Sequence, residues 1–230
     1  GDGLKMGVWI NAAIQQHHAP MIHYMGVTGI GTSPYLRLNT LGKRFMNEDV
    51  PGQQDQNQFE GQPGRTIFTF WDNAWTEQLQ YFQPQHGSAN YVRDALPKNL
   101  NIMSTTGIVS PDAVEAAVGK GILKADTIEG LLDQIEGIDK EAALASIARY
   151  NQLAKAGKDE DFGKPASRMF ALENPPYYAA QSGMSAMLVC CGGLVSDEDC
   201  HVYSNEGKII PGIYVAGNIQ GSRYAVAYPI

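Results

Sequence analysis

The stretch 192–230, GGLVSDEDCHVYSNEGKIIPGIYVAGNIQGSRYAVAYPI, decides the fold of this chain. Two short strands flank a turn at Asn205–Gly207, and an apolar strand, Ile213–Ala216, then runs into the glycine-spaced loop Gly217–Gly221. In α/β folds, a strand that leads into a glycine loop brings the backbone close to a cofactor. The stretch therefore predicts one edge of a cofactor site. Because it ends without a closing helix, we expect the complete site to include residues outside this sequence.

Composition bounds the kind of protein and its partners. The 230 residues are 43% hydrophobic and 18% charged, which suits a globular protein with a sizeable core in one or two domains. A formal net charge of −7 argues against nucleic acid or an anionic membrane as a partner. No apolar stretch is long enough to span a bilayer. The three cysteines, Cys190, Cys191 and Cys200, are odd in number and lack metal-ligand spacing, so we predict neither a disulfide framework nor a metal site.

Hydrophobic periodicity and helix-capping signals predict the secondary structure between the two ends. The predicted elements are a helix over 3–16, a hairpin over 33–48, a long polar loop over 49–64, a strand over 65–70, helices over 71–82, 111–119, 127–136 and 140–156, and an extended segment over 158–178. Asp126 with Glu129 resembles a capping box, and Asp139 and Gly157 bracket the last helix. The order of these helices and strands along the chain predicts a mixed α+β segment over 26–185 between two pieces of an α/β domain.

Several motifs, in order along the chain, together resemble one family. They are GDGLKMG at 1–7, LGKRFMNE at 41–48, GKGILKADTIEGLLDQIEGID at 119–139, ARYNQLAKAGKDEDFGKP at 148–165, PPYYA at 175–179 and GGLVSDEDCHVYSNEGKIIPGIYVAGN at 192–218. The chain resembles the flavoprotein subunits of fumarate reductases and succinate dehydrogenases, together with urocanate reductases and 3-ketosteroid dehydrogenases. The resemblance extends over nearly the whole chain.

The resemblance implies an FAD cofactor and a split domain plan. It implies an α+β capping domain, similar to the catalytic domain of these flavoproteins, over 26–185. Partial Rossmann-like FAD-domain segments would flank it, over 1–25 and 186–230. The family's dinucleotide fingerprint would precede residue 1, and further flavin contacts would follow residue 230. We therefore expect a fragment that is inactive and binds FAD poorly alone.

The resemblance also implies which residues contact the flavin. Asp2, Gly217 and Asn218 match flavin-contacting positions, with Asn218 in place of the more usual Glu. Gly1, Gly3 and Gly221 are the further glycines expected to permit close approach to the cofactor. For the GDG segment alone, a plain helix N-cap remains an alternative explanation.

The substrate-side motifs depart from those of fumarate reductases. Gly52 stands where the family has an Arg, and Leu188 and Val189 stand where it has His. A dicarboxylate needs several cationic donors, so a strict fumarate or succinate substrate is not expected. Tyr228-Pro229 is similar instead to the Tyr-Pro of 3-ketosteroid dehydrogenases.

The resemblance and the residue types suggest candidate substrate contacts. Tyr228 is expected to donate a proton or hydrogen bond, with Arg223 as an electrostatic helper. An interface aromatic and a surface Arg are the respective alternatives. Tyr35, Arg37 and Arg65 flank the polar loop and are candidate substrate contacts, of which Arg65 is the substrate-facing cation.

The resemblance implies a further substrate-side residue, and the predicted hairpin implies a structural one. His23, in the segment HHAPMIH that also holds His17 and His18, is a candidate substrate-side histidine, with a core or surface position as the alternative. Arg44 is expected to be structural and to pair with Glu48 or with a carbonyl across the hairpin.

These expectations lead to one main hypothesis and two alternatives. The main hypothesis is an FAD-dependent oxidoreductase that acts on a C=C bond of a small enoate- or enone-type substrate. A haem or FMN domain or subunit would supply its electrons. A non-catalytic small-molecule-binding or interaction module that kept the cap is the first alternative, and a plain α+β scaffold is the second. The compartment is left open.

Overall fold

The computed structural model describes residues 1–16, 21–25, 33–50, 55, 58–82, 111–190 and 192–222, of which 21–25, 113 and 183–190 are described by backbone alone. The chain divides into two compact units. Unit 1 comprises Gly1–Tyr24 and Ala186–Ile230, and unit 2 comprises Met25–Ser185. The predicted segments were 1–25, 26–185 and 186–230. Their assignment to an FAD domain and a cap stays a prediction, whereas the predicted mixed α/β content is observed.

Five strands form the larger sheet. They are β1 (Met21–Met25), β2 (Leu36–Asn39), β3 (Thr66–Asp72), β4 (Ile122–Ala125) and β5 (Tyr177–Cys190). The order is β1-β5-β3-β2, and β4 also pairs with β5. The β2–β3, β3–β5 and β4–β5 pairs are all antiparallel. The predicted hairpin over 33–48 is thus wrong. Strand β2 pairs with β3, and a single bridge, Leu38 to Arg44, joins β2 to the second half of the segment.

The two faces of this sheet cover different cores. Alternate residues of β2 and β3 point to opposite faces. Leu36 and Phe70 pack on one face against the long helix Lys140–Ala156, together with a cluster of other aliphatic side chains. On the opposite face, Tyr35 and Trp71 belong to an aromatic cluster.

The long helix begins and ends where the sequence predicts. Asp139 accepts a hydrogen bond from the Ala142 backbone N–H, which satisfies one of the free donors of the first turn. Gly157 ends the helix with φ 68°, a left-handed conformation that glycine adopts without steric cost. Ile147 and Leu153 are among the side chains that the helix buries. Strong signals at both ends explain why this prediction is confirmed.

The other helices are shorter than predicted. They span Asp2–Trp9, Trp75–Gln78, Pro111–Ala117 and Ile128–Leu132, and a 3-10 turn, Leu79–Tyr81, follows the second of them. The predicted capping box at Asp126 is wrong, because Thr127 caps the helix by accepting from the Gly130 N–H. A Thr hydroxyl one residue closer to the first turn competes successfully for the same role.

Unit 1 contains the first helix and a small β-hairpin. Strands β6 (His201–Tyr203) and β7 (Ile209–Tyr214) pair antiparallel. The helix Asp2–Trp9 stops before the predicted end because Asn11 has φ 63° and the following residues form bridges instead. Ala12 bridges Ser204, and Ile14 bridges Leu194.

Ala12 and Leu194 form the core of unit 1 together with Val202 and Val215. Within the part of the chain that the structure describes, no helix is both long and apolar enough to cross a membrane.

Candidate functional site

The glycine segments predicted to contact the flavin lie together in unit 1. A Cβ built on Gly3 would lie 2.2 Å from the Ile219 Cδ1 atom, so the start of the first helix touches the 3-10 turn Gly217–Ile219. On the other side of this turn, the Leu194 N–H donates to the Ile219 carbonyl at 2.8 Å. The Gly221 N–H donates to the Leu194 carbonyl, also at 2.8 Å. Segments from both ends of the sequence therefore meet at the turn.

The glycines at this place fall into two kinds. Gly193 and Gly221 have no room for a side chain, because a Cβ on each would lie 2.9 Å or less from backbone atoms, whereas a Cβ on Gly3 would meet only the end of the Ile219 side chain. Gly1 and Gly217 face open space, since a Cβ on either would have no neighbour within 4 Å. Gly217 also has φ 79°, which disfavours other residues. The first kind keeps the segments close, and the second leaves backbone exposed.

These residues fit a flavin nucleotide. No side chain caps the first helix, so its first-turn N–H groups are available to an anionic or hydroxyl oxygen. The side chain of Asp2 is 94% exposed, with only a long contact of 3.7 Å to Lys5. Asn218 is exposed beside Gly217. The N–H donors suit phosphate oxygens, and the Asp2 carboxylate suits ribityl hydroxyl groups. Gly1, Asp2, Gly217 and Asn218 are therefore the residues that would hold FAD.

The predicted substrate residues in unit 2 do not lie together. Arg65 is exposed and immediately precedes the first residue of β3. Tyr35 lies beside the last residues of β3, because the next residue, Leu36, pairs with Phe70. At about 3.3 Å per residue, roughly 15–20 Å of strand separates the two levels. One small substrate would not span both. His23 lies in β1, and its side chain is outside the described residues.

Tyr35 is an interior residue rather than a surface one. Its side chain is 1% exposed, and its ring packs against Phe82, Phe170 and Trp71, with centroids 5.3, 5.7 and 6.4 Å away. Burial raises the pKa of the Tyr35 phenol well above its ordinary value, and the nearby Asp72 charge adds to this effect. The hydroxyl therefore stays protonated at neutral pH.

The predicted catalytic residues, Tyr228 and Arg223, lie outside the described residues, as does Gly52. The side chains of Leu188 and Val189 are likewise not described. Their roles stay predictions.

A buried ionic network is the main polar feature of unit 2. Arg44 donates to both carboxylate oxygens of Glu48 at 2.8 Å, and to both oxygens of Asp159 at 2.9 and 2.8 Å. Its guanidinium also lies between the rings of Tyr150 and Phe162, 5.0 and 4.9 Å from their centroids. The predicted Arg44–Glu48 pairing is thus confirmed. Arg44 joins the segment after β2 to the end of the long helix and to the loop that follows it.

Lys164 completes this network at the edge of the sheet. Its ammonium group donates to Glu48 at 3.2 Å, to the Tyr150 hydroxyl at 2.9 Å and to the Pro34 carbonyl. The Arg37 N–H of β2 points toward Glu48 at 3.4 Å. Because β2 is an edge strand in the described sheet, these contacts cover backbone groups that would otherwise be open to pairing.

Paired cations keep two of the buried carboxylates ionised. Burial alone would raise the pKa of Glu48, but the Lys164 charge and the Arg44 hydrogen bonds lower it below its usual value. Burial likewise opposes ionisation of Asp159, yet hydrogen bonds from Arg44 and from the Lys164 backbone N–H bring its pKa to about 2.

Sequence reasoning missed Lys164 and Asp159 as members of this network, and also Asp55, which lies beside it with Oδ1 2.8 Å from the Arg37 Nη1 atom. Asp159 had a local signal, because it caps a tight turn by accepting from the backbone N–H groups of Asp161, Phe162 and Lys164. Lys164 and Asp55 had none, since their partners are distant in the sequence. Among the described residues, no group of three or more His, Cys, Asp or Glu side chains could hold a metal ion.

A family model described as FAD binding domain matches residues 1–230, the entire chain. The chain belongs to this FAD-binding family of flavoproteins. Its cofactor is FAD, in agreement with the resemblance found in the sequence.

Relatives of this flavoprotein include two kinds of oxidoreductase. It is 28% identical over 233 residues to a fumarate reductase (cytochrome) of Shewanella frigidimarina, covering 96% of this chain and 34% of that protein. It is 26% identical over 260 residues to a 3-oxosteroid 1-dehydrogenase of Mycobacterium tuberculosis, covering 100% of this chain and 42% of that protein. The flavoprotein chain thus spans between a third and a half of the length of these relatives.

A solved structure shows the same fold. The 3-ketosteroid delta1-dehydrogenase from Sterolibacterium denitrificans, in complex with 1,4-androstadiene-3,17-dione, matches with a TM-score of 0.60 at 24% identity. The match covers 96% of this flavoprotein chain and 41% of that one. At this identity the likeness concerns the fold alone.

Proposed function

We propose that this chain is part of an FAD-dependent oxidoreductase that reduces or desaturates a C=C bond next to a carbonyl or carboxyl group. The observation that carries the proposal is the meeting of Gly1–Gly3 with Gly217–Ile219, in a chain that matches an FAD-binding family along its whole length. Relatives named as a fumarate reductase and a 3-oxosteroid dehydrogenase support the reaction class. Bound FAD would supply hydride transfer.

The residues of this chain would have separate roles in that reaction. First-turn N–H groups at Gly1–Gly3 would hold flavin oxygens, and Gly217 and Asn218 would contact the cofactor from the neighbouring turn. Tyr228 would donate a hydrogen bond to the carbonyl oxygen of the substrate, or a proton to the reacting carbon. Arg223 would stabilise negative charge on that oxygen.

The substrate proposed is a neutral enone or a mono-enoate rather than a dicarboxylate. Recognition of two carboxylates requires several bidentate cations. Of the described arginines in or next to β2 and β3, Arg37 and Arg44 are buried and already paired with carboxylates, and Arg65 is exposed. The electron donor proposed is a haem or FMN domain or subunit, since one relative bears the name fumarate reductase (cytochrome).

Replacing Tyr228 by Phe tests the catalytic role. In the natural full-length protein we expect turnover of an enone to fall about 10²-fold or more, because a positioned acid contributes on this scale. The exposed Tyr81→Phe in unit 2 is the matched control and should leave turnover unchanged. The assay follows oxidation of reduced methyl viologen without oxygen. Equal turnover in wild type and Tyr228→Phe would contradict the role.

The alternative function is a binding module that retains the fold without the chemistry. The departures at Gly52, Leu188 and Val189 favour it, since they replace family Arg and His positions. The same assay separates the two functions. A protein that contains FAD but turns over no enone, enoate or fumarate would be the binding module.

The chain by itself is expected to bind FAD weakly. In these relatives, the matched region is less than half of the protein. The resemblance seen in the sequence implies that further flavin contacts lie outside the matched region. Purified chain mixed with excess FAD and then desalted should therefore retain far less than one flavin per chain. A stoichiometric flavin spectrum after desalting would contradict this expectation.

A further inference from the structure

A side-chain hydrogen bond fixes the backbone where the loop Gly217–Gly221 ends. The Ser222 N–H donates to the side-chain oxygen of Gln15, Oε1, at 2.7 Å. Gln15 is partly buried, and Ser222 is exposed. In the sequence, Arg223 follows Ser222 directly, and Tyr228 lies six residues beyond it. The bond therefore connects the first segment of unit 1 to the residue that precedes the predicted catalytic residues.

The backbone of Gln15 is itself held against this loop. Its N–H donates to the Gly193 carbonyl at 2.9 Å, and the residue before it, Ile14, bridges Leu194. Leu194 is also the residue that makes both backbone hydrogen bonds to the loop described above. The position of the Gln15 backbone relative to the loop is therefore set by backbone hydrogen bonds, and its side chain supplies the acceptor for Ser222.

The backbone geometry of residues 221 and 222 depends on this contact. A Cβ on Gly221 would lie 3.0 Å from the Gln15 Oε1 atom, so the glycine leaves room for that oxygen to reach the next N–H. Ser222 has φ 57°, a left-handed conformation that costs free energy in a residue with a Cβ. Such conformations persist where the surrounding contacts determine them. The hydrogen bond to Gln15 is such a contact, and it fixes the direction of the backbone at Ser222.

A second glutamine holds the loop itself. Gln220 Nε2 donates to the Ser196 hydroxyl oxygen at 3.1 Å and lies 3.8 Å from the Cys200 Sγ atom. These contacts and the backbone bonds of Leu194 act within the loop, whereas Gln15 acts on the residue after it. Loss of the Gln15 side-chain oxygen should therefore leave the loop, and with it the predicted flavin contacts, in place.

We propose that Gln15 is a positioning residue, whose side-chain oxygen fixes the backbone of Ser222 and thereby sets the placement of the residues that follow. The inference rests on the proposed function, in which two of those residues, Arg223 and Tyr228, act on the substrate. Gln15 acts through Ser222 and does not touch the substrate itself. An error of about 1 Å in the position of a reacting group can lower the rate about 10²-fold. The bond to Gln15 therefore affects the rate of the reaction more than the binding of FAD.

Gln15→Met tests this role, because methionine has a similar size but no carbonyl oxygen. In the natural full-length protein we expect the Ser222 amide to exchange several-fold faster with solvent deuterium, since it loses its acceptor. The Gly221 amide, which bonds to Leu194, should keep its protection, and the flavin content should not change. We expect kcat for an enone to fall about tenfold or more while KM changes little, because the placement of reacting groups is altered and not the binding site.

Three further variants separate the positioning role from a general effect on the fold. Gln15→Glu keeps an acceptor on a side chain of the same length, so it should restore the protection of the Ser222 amide and most of the turnover. Gln15→Asn has a side chain one methylene shorter and should behave like Gln15→Met. Gln16→Met is the matched control at the exposed neighbouring position and should behave like the wild type.

The outcomes distinguish this inference from the proposed function. In an active wild type, the inference alone is overturned if Gln15→Met leaves the Ser222 amide or kcat unchanged. It is equally overturned if Gln15→Glu loses as much turnover as Gln15→Met. A wild type that turns over no enone, enoate or fumarate would contradict the proposed function, and the inference would fail with it.

Discussion

Arg44→Ala is expected to lower the free energy of unfolding of unit 2 by about 3–5 kcal/mol, the usual effect of removing one partner from a buried ion pair. The Arg44 side chain is 6% exposed, and it alone supplies two hydrogen bonds to Glu48 and two to Asp159. Without it, Asp159 keeps only backbone donors, and Glu48 keeps Lys164 as its cation. The rings of Tyr150 and Phe162 would also lose the guanidinium between them.

Arg149→Ala is the matched control for this change. Arg149 also pairs with a carboxylate through two nitrogens, Nη2 at 2.9 Å and Nε at 3.3 Å from Asp161. Its side chain is 47% exposed, however, and an exposed pair contributes about 1 kcal/mol or less. Urea unfolding of both variants provides the comparison. If Arg44→Ala and Arg149→Ala lowered the free energy of unfolding by similar amounts, the Arg44 network would not stabilise unit 2 as described.

Gly193→Ala is expected to disrupt the junction of the two segments in unit 1 that are predicted to contact the flavin. The new Cβ would lie 2.0 Å from the Ile219 carbonyl oxygen and 2.6 Å from the Gly221 nitrogen, both backbone atoms that cannot rotate away. Overpacking of this kind costs about 1–3 kcal/mol where side chains can adjust, and backbone contacts leave less room to adjust. The segment 219–221 must shift, and its hydrogen bonds with Leu194 must weaken.

Hydrogen exchange and flavin content measure this disruption. In Gly193→Ala, the amides of Leu194 and Gly221 should exchange faster than in the wild type, and the natural full-length protein should lose flavin. Gly61→Ala is the control, because its Cβ would meet only the Gln58 carbonyl, at 3.9 Å. Unchanged protection and full flavin content in Gly193→Ala would contradict the role of this junction.

The sequence predicted elements well where local signals were strong. Asp139 and Gly157 fixed both ends of the long helix, because a carboxylate cap and a left-handed glycine act within one turn. The Arg44–Glu48 pair was also predictable, since the two residues lie four apart. The predicted helix over 3–16 failed at Ile10 because Ala12 and Ile14 pair with Ser204 and Leu194, which are remote in the sequence.

The polar core of unit 2 shows why part of the site was not predictable. Arg37 and Tyr35 were predicted to contact the substrate from beside a polar loop, yet both are almost fully buried. The ion pair with Asp55 explains the burial of Arg37, and the aromatic cluster explains that of Tyr35. Such pairings depend on the packing of β2 against distant segments, which no local pattern encodes.

The sequence predicts which glycines contact the flavin, but it does not show that they differ in their surroundings. Gly1 and Gly217 leave open space, whereas Gly193 and Gly221 are needed for contact between backbone segments. A sequence shows only that each position lacks a side chain. The distinction matters for experiments, because a substitution at Gly221 would perturb packing even without a cofactor.

Anaerobic reoxidation of the flavin tests the central claim most directly. The natural full-length protein is reduced until its flavin spectrum bleaches, and a conjugated enone is then added. If the protein reduces a C=C bond next to a carbonyl, the oxidised flavin spectrum returns in step with formation of the saturated ketone, whereas a saturated ketone added instead has no effect. Two negative results together would contradict the account. Reduced flavin would stay reduced after addition of enone, enoate or fumarate, and, in a separate sample, oxidised flavin would stay oxidised after addition of a steroid-like saturated ketone.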